Sequence, residues 1–248
     1  MRSYLLLAVV FLIHSGFASA QTITVAWREK PPYHYTEQGV EKGFLLARGK
    51  QIFAAAGVEA QFVEEPTKRI WANFQSGKPN YCSLGRYKLN ERGAVAQYTL
   101  PVHIDPPQAI LVAPNAYDKA RLHRSLAALF ADSSLSVGLI DGVSYGPKID
   151  ALIRGAGAER VMRTVDSNNM MRMVAAGRVS YTFADRHGWT YLRERDSTLV
   201  AVTEIDFPDN PPGMSRHLMC SKDIPASTMR KLNKAIEALK ISERTPID

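Results

Sequence analysis

The sequence has little cysteine: Cys82 and Cys220 are the only two in 248 residues, so no disulfide framework can stand in for a hydrophobic core. No Gly-rich phosphate loop is present. His34, His103, His123, His187 and His217 are scattered, with no H-x-H, H-x-x-x-H or C-x-x-C spacing, so neither a metal site nor a cofactor is expected. The serine in GVSYG, Ser144, is not in a G-x-S-x-G elbow. The formal charge of +7 is spread among acidic residues without a basic block. A nucleic-acid partner is therefore not expected, and a mild preference for anionic ligands is.

No apolar run after residue 20 is long enough to span a bilayer. The run before it, YLLLAVVFLI, follows Arg2 and precedes ASA at Gln21, the form of a cleavable secretory signal over residues 1–20. The expected location is the periplasm. In that oxidising setting one Cys82–Cys220 bond is the economical reading, and two inert buried thiols are the alternative.

The remainder alternates short apolar runs with amphipathic segments. TITVAW, EAQFVEE and NYCSLGR read as strands, with GFLLARGKQIFAAAG and TKRIWANFQSG as helices between them. This is the β-α-β-α-β grammar of an open parallel sheet, and a second copy follows, including RLHRSLAALFAD as one helix and LSVGLIDG as a strand. Proline-rich YTLPVHIDPPQ and IDFPDNPPG flank the second copy and read as connectors rather than interior strands. The second unit is then inserted into the first: lobe 1 over 21–105 and 207–248, lobe 2 over 106–206, joined by two hinge strands around a cleft.

Ligands of such sheets sit beyond the carboxyl ends of the strands. The residues there are Trp27, Glu29 and Tyr33 after the first strand, Arg69 after the second, and Arg86, Tyr87 and Arg92 after the third. In the second unit they are Ser144, Tyr145 and Asp185. The mixture suits a small polar solute. Other roles compete at several of these positions: Trp27 and Tyr33 as packing, Arg86 as a solvated charge, Arg92 as a helix cap, and Asp185 as an N-cap before RHGW.

KPPYHYTEQGVEKGF, FQSGKPN, NYCSLGRYKLNERG…YTLP and MVAAGRVSYTFAD together resemble the bacterial periplasmic solute-binding proteins of the polar amino-acid type, family 3, over nearly the whole chain past residue 20. The resemblance implies a two-lobed α/β type II periplasmic binding fold. Each lobe would be an open, mostly parallel sheet flanked by helices, working as a monomer that delivers a small-molecule ligand to an ABC importer. It further implies that Arg92 grips a ligand carboxylate, that Asp185 holds its ammonium, and that the helix start at Ser144, Tyr145 and Gly146 adds N–H donors. In the family the returning strand runs beside the third one, which would put Cys220 within reach of Cys82.

The chain departs from the pattern at Leu89 for threonine, Asn80 for an acid, and Leu45 and Leu46 for an acidic pair, with Ala47 and Arg48 next. Arg69, Arg86 and Arg92 together would suit a more negative ligand, a dicarboxylate or an acidic peptide fragment. Two other functions fit the same scaffold: a ligand sensor touching a membrane receptor, and a dehydratase-like enzyme using Glu29, Glu64 or Glu65 as acid or base.

Overall fold

The structure, a computed structural model, describes residues 22–240. The expected leader lies outside the described residues. The chain runs β1 (Ile23–Trp27), β2 (Tyr35–Glu37), β3 (Val40–Lys42), α1 (Phe44–Ala56), β4 (Ala60–Glu64), α2 (Thr67–Gln75), β5 (Tyr81–Tyr87) and β6 (Ala96–Ile104). It continues through β7 (Ala109–Val112), α3 (Tyr117–Ala120), α4 (Leu126–Ala131), β8 (Ser136–Ile140), α5 (Pro147–Arg154), β9 (Glu159–Arg163), α6 (Ser167–Ala175), β10 (Tyr181–Ala184) and α7 (Arg186–Arg193). It closes with β11 (Thr203–Ile205), β12 (Ser215–Ser221) and α8 (Ala226–Ala238).

Two five-stranded sheets result, in the orders β4-β1-β5-β12-β6 and β11-β7-β10-β8-β9. Both obey one plan. Three parallel strands, β4-β1-β5 or β9-β8-β10, come from a β-α-β-α-β unit; one reversed strand, β12 or β7, then pairs with its third member. The fold is thus the two-lobed α/β architecture, each sheet mostly parallel. Strands such as AILV of β7 and YTFA of β10 are buried throughout and almost wholly apolar, as interior strands of a mostly parallel sheet are. α8 lays Met229, Leu232, Ala235 and Ile236 on the core of the first lobe, the spacing of one helix face.

Three local expectations give way. RLHRSLAALFAD is not one helix: Ser125 accepts a hydrogen bond from Ala128 N and starts α4 afresh, separating it from α3. YTLPVHI is a strand after all, because β6 is an edge strand, where Pro101 withholds no N–H that a neighbour needs, and β12 shifts register beside it. TEQGVEK, unassigned in the sequence, closes as the β2–β3 hairpin through Gln38 and Gly39, both at positive φ.

The PPYHY segment folds over the start of α1. Pro32 and Tyr33 carbonyls accept from the N–H groups of Phe44, Leu45 and Leu46, so this helix terminus is already satisfied from within the lobe. Gly43 permits that approach: a Cβ there would lie 2.3 Å from the Tyr33 carbonyl oxygen. The unusual Leu45 and Leu46 lie in the first-lobe core, and Arg48 turns inward to donate to His103 Nδ1 at 3.1 Å.

Cys82 and Cys220 face each other in the β5–β12 register and form a disulfide, both side chains wholly buried. The bond joins two segments 138 residues apart in sequence. Replacing both cysteines by serine should cost roughly 2–5 kcal/mol in denaturant unfolding. Because the bond is inaccessible in the folded lobe, reductant alone should act slowly, and added denaturant should speed thiol release, measured by alkylation and mass spectrometry.

Candidate functional site

The cleft between the lobes contains a cavity, part of it open to solvent. Strand ends build it. From the first lobe come Arg28 after β1, Arg86 and Tyr87 at the end of β5, and Arg92 in the turn that follows; from the second come Ile140, Ser144 and Tyr145 after β8, and Phe183 to Asp185 at the end of β10. Lys30 and Arg216 complete the wall.

Arg216 is the best-fixed of these side chains. It is buried on β12, opposite Tyr87 of β5, and stacks between the rings of Tyr33 and Tyr87 at 4.5 and 4.6 Å. Its guanidinium grips Asp105 through Nε at 2.9 Å and Nη2 at 2.7 Å, while Nη1 donates to the Gly85 carbonyl at 3.0 Å. Tyr33 and Tyr87 hydroxyls donate to the same carboxylate, and His103 Nε2 lies 3.3 Å from it without good hydrogen-bond alignment. Burial pushes the Asp105 carboxyl up, but Arg216 and the donors around it outweigh burial and hold it well below the carboxylate range.

Asp105 is also where the chain leaves the first lobe. Its N–H donates to the Met214 carbonyl on the returning segment, and a Cβ on Gly213 would come within 1.7 Å of the Asp105 carbonyl oxygen. The two crossings therefore touch at one point, tied to the cavity wall through Arg216.

The second ion pair spans the lobes. Lys30 is held by a tight loop, with Lys30 and His34 exchanging backbone hydrogen bonds at 2.7 and 3.1 Å around Pro31 and Pro32. Its ammonium bonds Asp185 Oδ2, while Oδ1 accepts from Gly188 N at 2.7 Å as the N-cap of α7. Burial pulls the Lys30 amine below its usual value despite Asp185; burial acts upward on the Asp185 carboxyl, but Lys30 and Arg216 hold it low. His187 adds ring contacts to Tyr33, Phe44 and His103 at 5.8, 5.8 and 5.4 Å, and Tyr191 to Tyr35 at 5.6 Å, so the lobes meet along α7.

Arg28, Arg86 and Arg92 have no such partner: none forms an ion pair with a carboxylate among the described residues. Arg86 Nε donates to Ser83 Oγ at 2.8 Å, whereas Nη2 is buried without a hydrogen-bond partner. Burial and the neighbouring Arg28 and Arg92 push its guanidinium down to about 9, still charged at neutral pH. Arg92 lies over the Trp71 ring at 5.4 Å. His34, whose Nδ1 meets the Arg28 carbonyl, is driven well below its usual value by burial and by Arg28, Arg216 and Arg86, and so stays neutral.

Of the residues named from sequence, Arg86, Tyr87, Arg92, Ser144, Tyr145 and Asp185 line this cavity together. Trp27, Tyr33, Glu29 and Arg69 do not. Trp27 and Tyr33 are core residues of the first lobe, Tyr33 spending its hydroxyl on Asp105. Glu29 points outward and accepts from Thr36 N at 3.0 Å on the hairpin, and Arg69 is exposed on α2. Two of the expected donors at the start of α5 are also spent: Tyr145 N donates to Asp150 Oδ1 at 2.9 Å and Gly146 N to Ser144 Oγ at 3.2 Å.

Arg28, Lys30, Arg216 and Asp105 were missed. Alternation held the signal for two of them: in extended WREK, positions 28 and 30 share a side and Glu29 takes the other. Arg216 and Asp105 are paired only by the sheet, across 111 residues.

The sequence matches the bacterial extracellular solute-binding proteins, family 3, over residues 23–245. The chain belongs to that family. No curated protein matches it. Among solved structures it is similar to the arginine-, lysine-, histidine-binding protein ArtJ from Geobacillus stearothermophilus, at 16% identity, covering 90% of this chain and 93% of that one, TM-score 0.70. A structure from work on glutathione import through GshT and the cystine importer TcyBC of Streptococcus mutans gives 16% identity, 89% and 90% coverage, and TM-score 0.71. A histidine kinase sensor domain with similarity to periplasmic binding proteins gives 18%, 89% and 90%, and 0.70. These likenesses establish the fold; family membership establishes a solute-binding role, in a family that is extracellular.

Asp105→Asn should leave Arg216 buried against a neutral partner and cost about 3–5 kcal/mol of stability at pH 7. Because the folded carboxyl lies below its unfolded value near 3.8, its stabilisation is intact above that pH and drains away below it. The melting temperature of the wild type should therefore fall more steeply below pH 4 than that of Asp105→Asn.

Proposed function

We propose that this chain is an exported, monomeric binding protein that captures a small anion, an amino acid or related solute, between its lobes and delivers it to an ABC importer. One observation carries this reading: three arginines, Arg28, Arg86 and Arg92, converge on an interlobe cavity, and among the described residues none of them forms an ion pair with a carboxylate. Guanidinium groups bind carboxylates through paired, charge-assisted hydrogen bonds, and an anion touching both walls would favour the closed arrangement. The two chain crossings, which touch at Asp105 and Gly213, would serve as the hinge.

Delivery to a membrane sensor is the alternative, supported by the shared fold of the histidine kinase sensor domain. The capture step is common to both. The enzymatic alternative loses its candidate groups: Glu29 and Glu64 are exposed, and Glu65 is engaged by Tyr81 and Asn73, all outside the cavity.

A thermal-shift screen of amino acids, dicarboxylates and small peptides should find anions that raise the melting temperature, because a ligand selective for the folded state stabilises it by mass action. Arg86→Gln and Arg92→Gln should each weaken binding of the best hit at least about tenfold in calorimetry, the scale of one charge-assisted hydrogen bond. Exclusive binding of cationic solutes would reject the reading.

A further inference from the structure

Among the described residues Asp185 is the single acidic side chain lining the cavity, and both of its oxygens are committed, one to Gly188 N and the other to the Lys30 ammonium. The protein thus supplies its own ammonium at the place where an incoming one would be received. Lys30 is buried, so a ligand amine could reach Asp185 only by displacing a charge already paired with it. Unspent capacity is all of the opposite kind. Arg28 and Arg92 face the cavity without an ion pair to an acid among the described residues, and Arg86 Nη2 is a buried donor with no hydrogen-bond partner there. Leaving a guanidinium donor unpaired in a buried site is costly, and an anion relieves that cost where a zwitterion's amine would add to the positive field.

Resting on capture in this cleft, we propose that the ligand is an amine-free polyanion, a small dicarboxylate or its chemical equivalent, and that Lys30 is the specificity-determining residue that turns α-amino acids away. The arginines recognise the charge; the Lys30–Asp185 pair rejects the ammonium, so selectivity comes from a repulsive element as well as an attractive one.

Matched pairs test this directly: succinate against aspartate, and glutarate against glutamate, titrated calorimetrically into the chain stripped of bound solute by unfolding and refolding. The amine-free member of at least one pair should bind at least tenfold tighter than its amino counterpart, and Lys30→Gln should shrink or reverse that ratio by freeing Asp185. If Lys30→Gln does not fold, the wild-type ratios decide alone. Equal or tighter binding of aspartate, glutamate or arginine overturns the inference while leaving solute capture intact. Failure of all these solutes, and of every other solute in the thermal-shift screen, to bind overturns both.

Discussion

The bidentate pairing of Arg216 with Asp105 is the constraint on which the rest of the architecture depends. Asp105 begins the outward crossing between lobes, and Arg216 lies on the strand that begins after the return. A buried carboxylate and a buried guanidinium each need full compensation, and here two tyrosine hydroxyls and the Gly85 carbonyl supply what the ion pair leaves open. The end of β5, the PPYHY loop and both crossings are thereby fixed at one node. The cavity opens from that node, so its first-lobe wall is placed by the same contacts that define the hinge.

Two ion pairs in this cleft have different uses. Arg216–Asp105 lies within the first lobe and organises it, whereas Lys30–Asp185 joins the lobes and occupies a carboxylate facing the cavity. With both acids committed, the remaining arginines set the electrostatic character of the space between the walls. Burial amplifies this, since charges withdrawn from water interact more strongly and solvent no longer screens them. The disulfide contributes elsewhere, binding the returning strand to β5 behind the cavity wall rather than in it.

Much of the fold was legible in the sequence because it rests on local periodicity. The alternation of apolar runs and amphipathic helices gave both β-α-β-α-β units. Where local reading failed, a tertiary neighbour had decided: Pro101 is tolerated because β6 lies at an edge, and the segment before α4 breaks because Ser125 caps a new start. At the site, residues at strand ends were found when the strand itself pointed them inward, as with Arg86, Tyr87 and Asp185. Glu29 was chosen for its chemistry against the alternation that directs Arg28 and Lys30 to the cavity.

The sequence by itself determined the family, the mixed two-unit architecture and a cationic tendency among its strand-end residues, because these follow from spacing along the chain and from residue type. Only the tertiary structure decided which charges are spent. Asp185 has the same side chain whether it awaits a ligand or holds Lys30, and a separation of 155 positions along the chain gives no local sign of their pairing. Neutralisation is a property of distance in space, which sheet order and lobe contact set, and so the balance of charge in the cleft emerges only when the chain is folded.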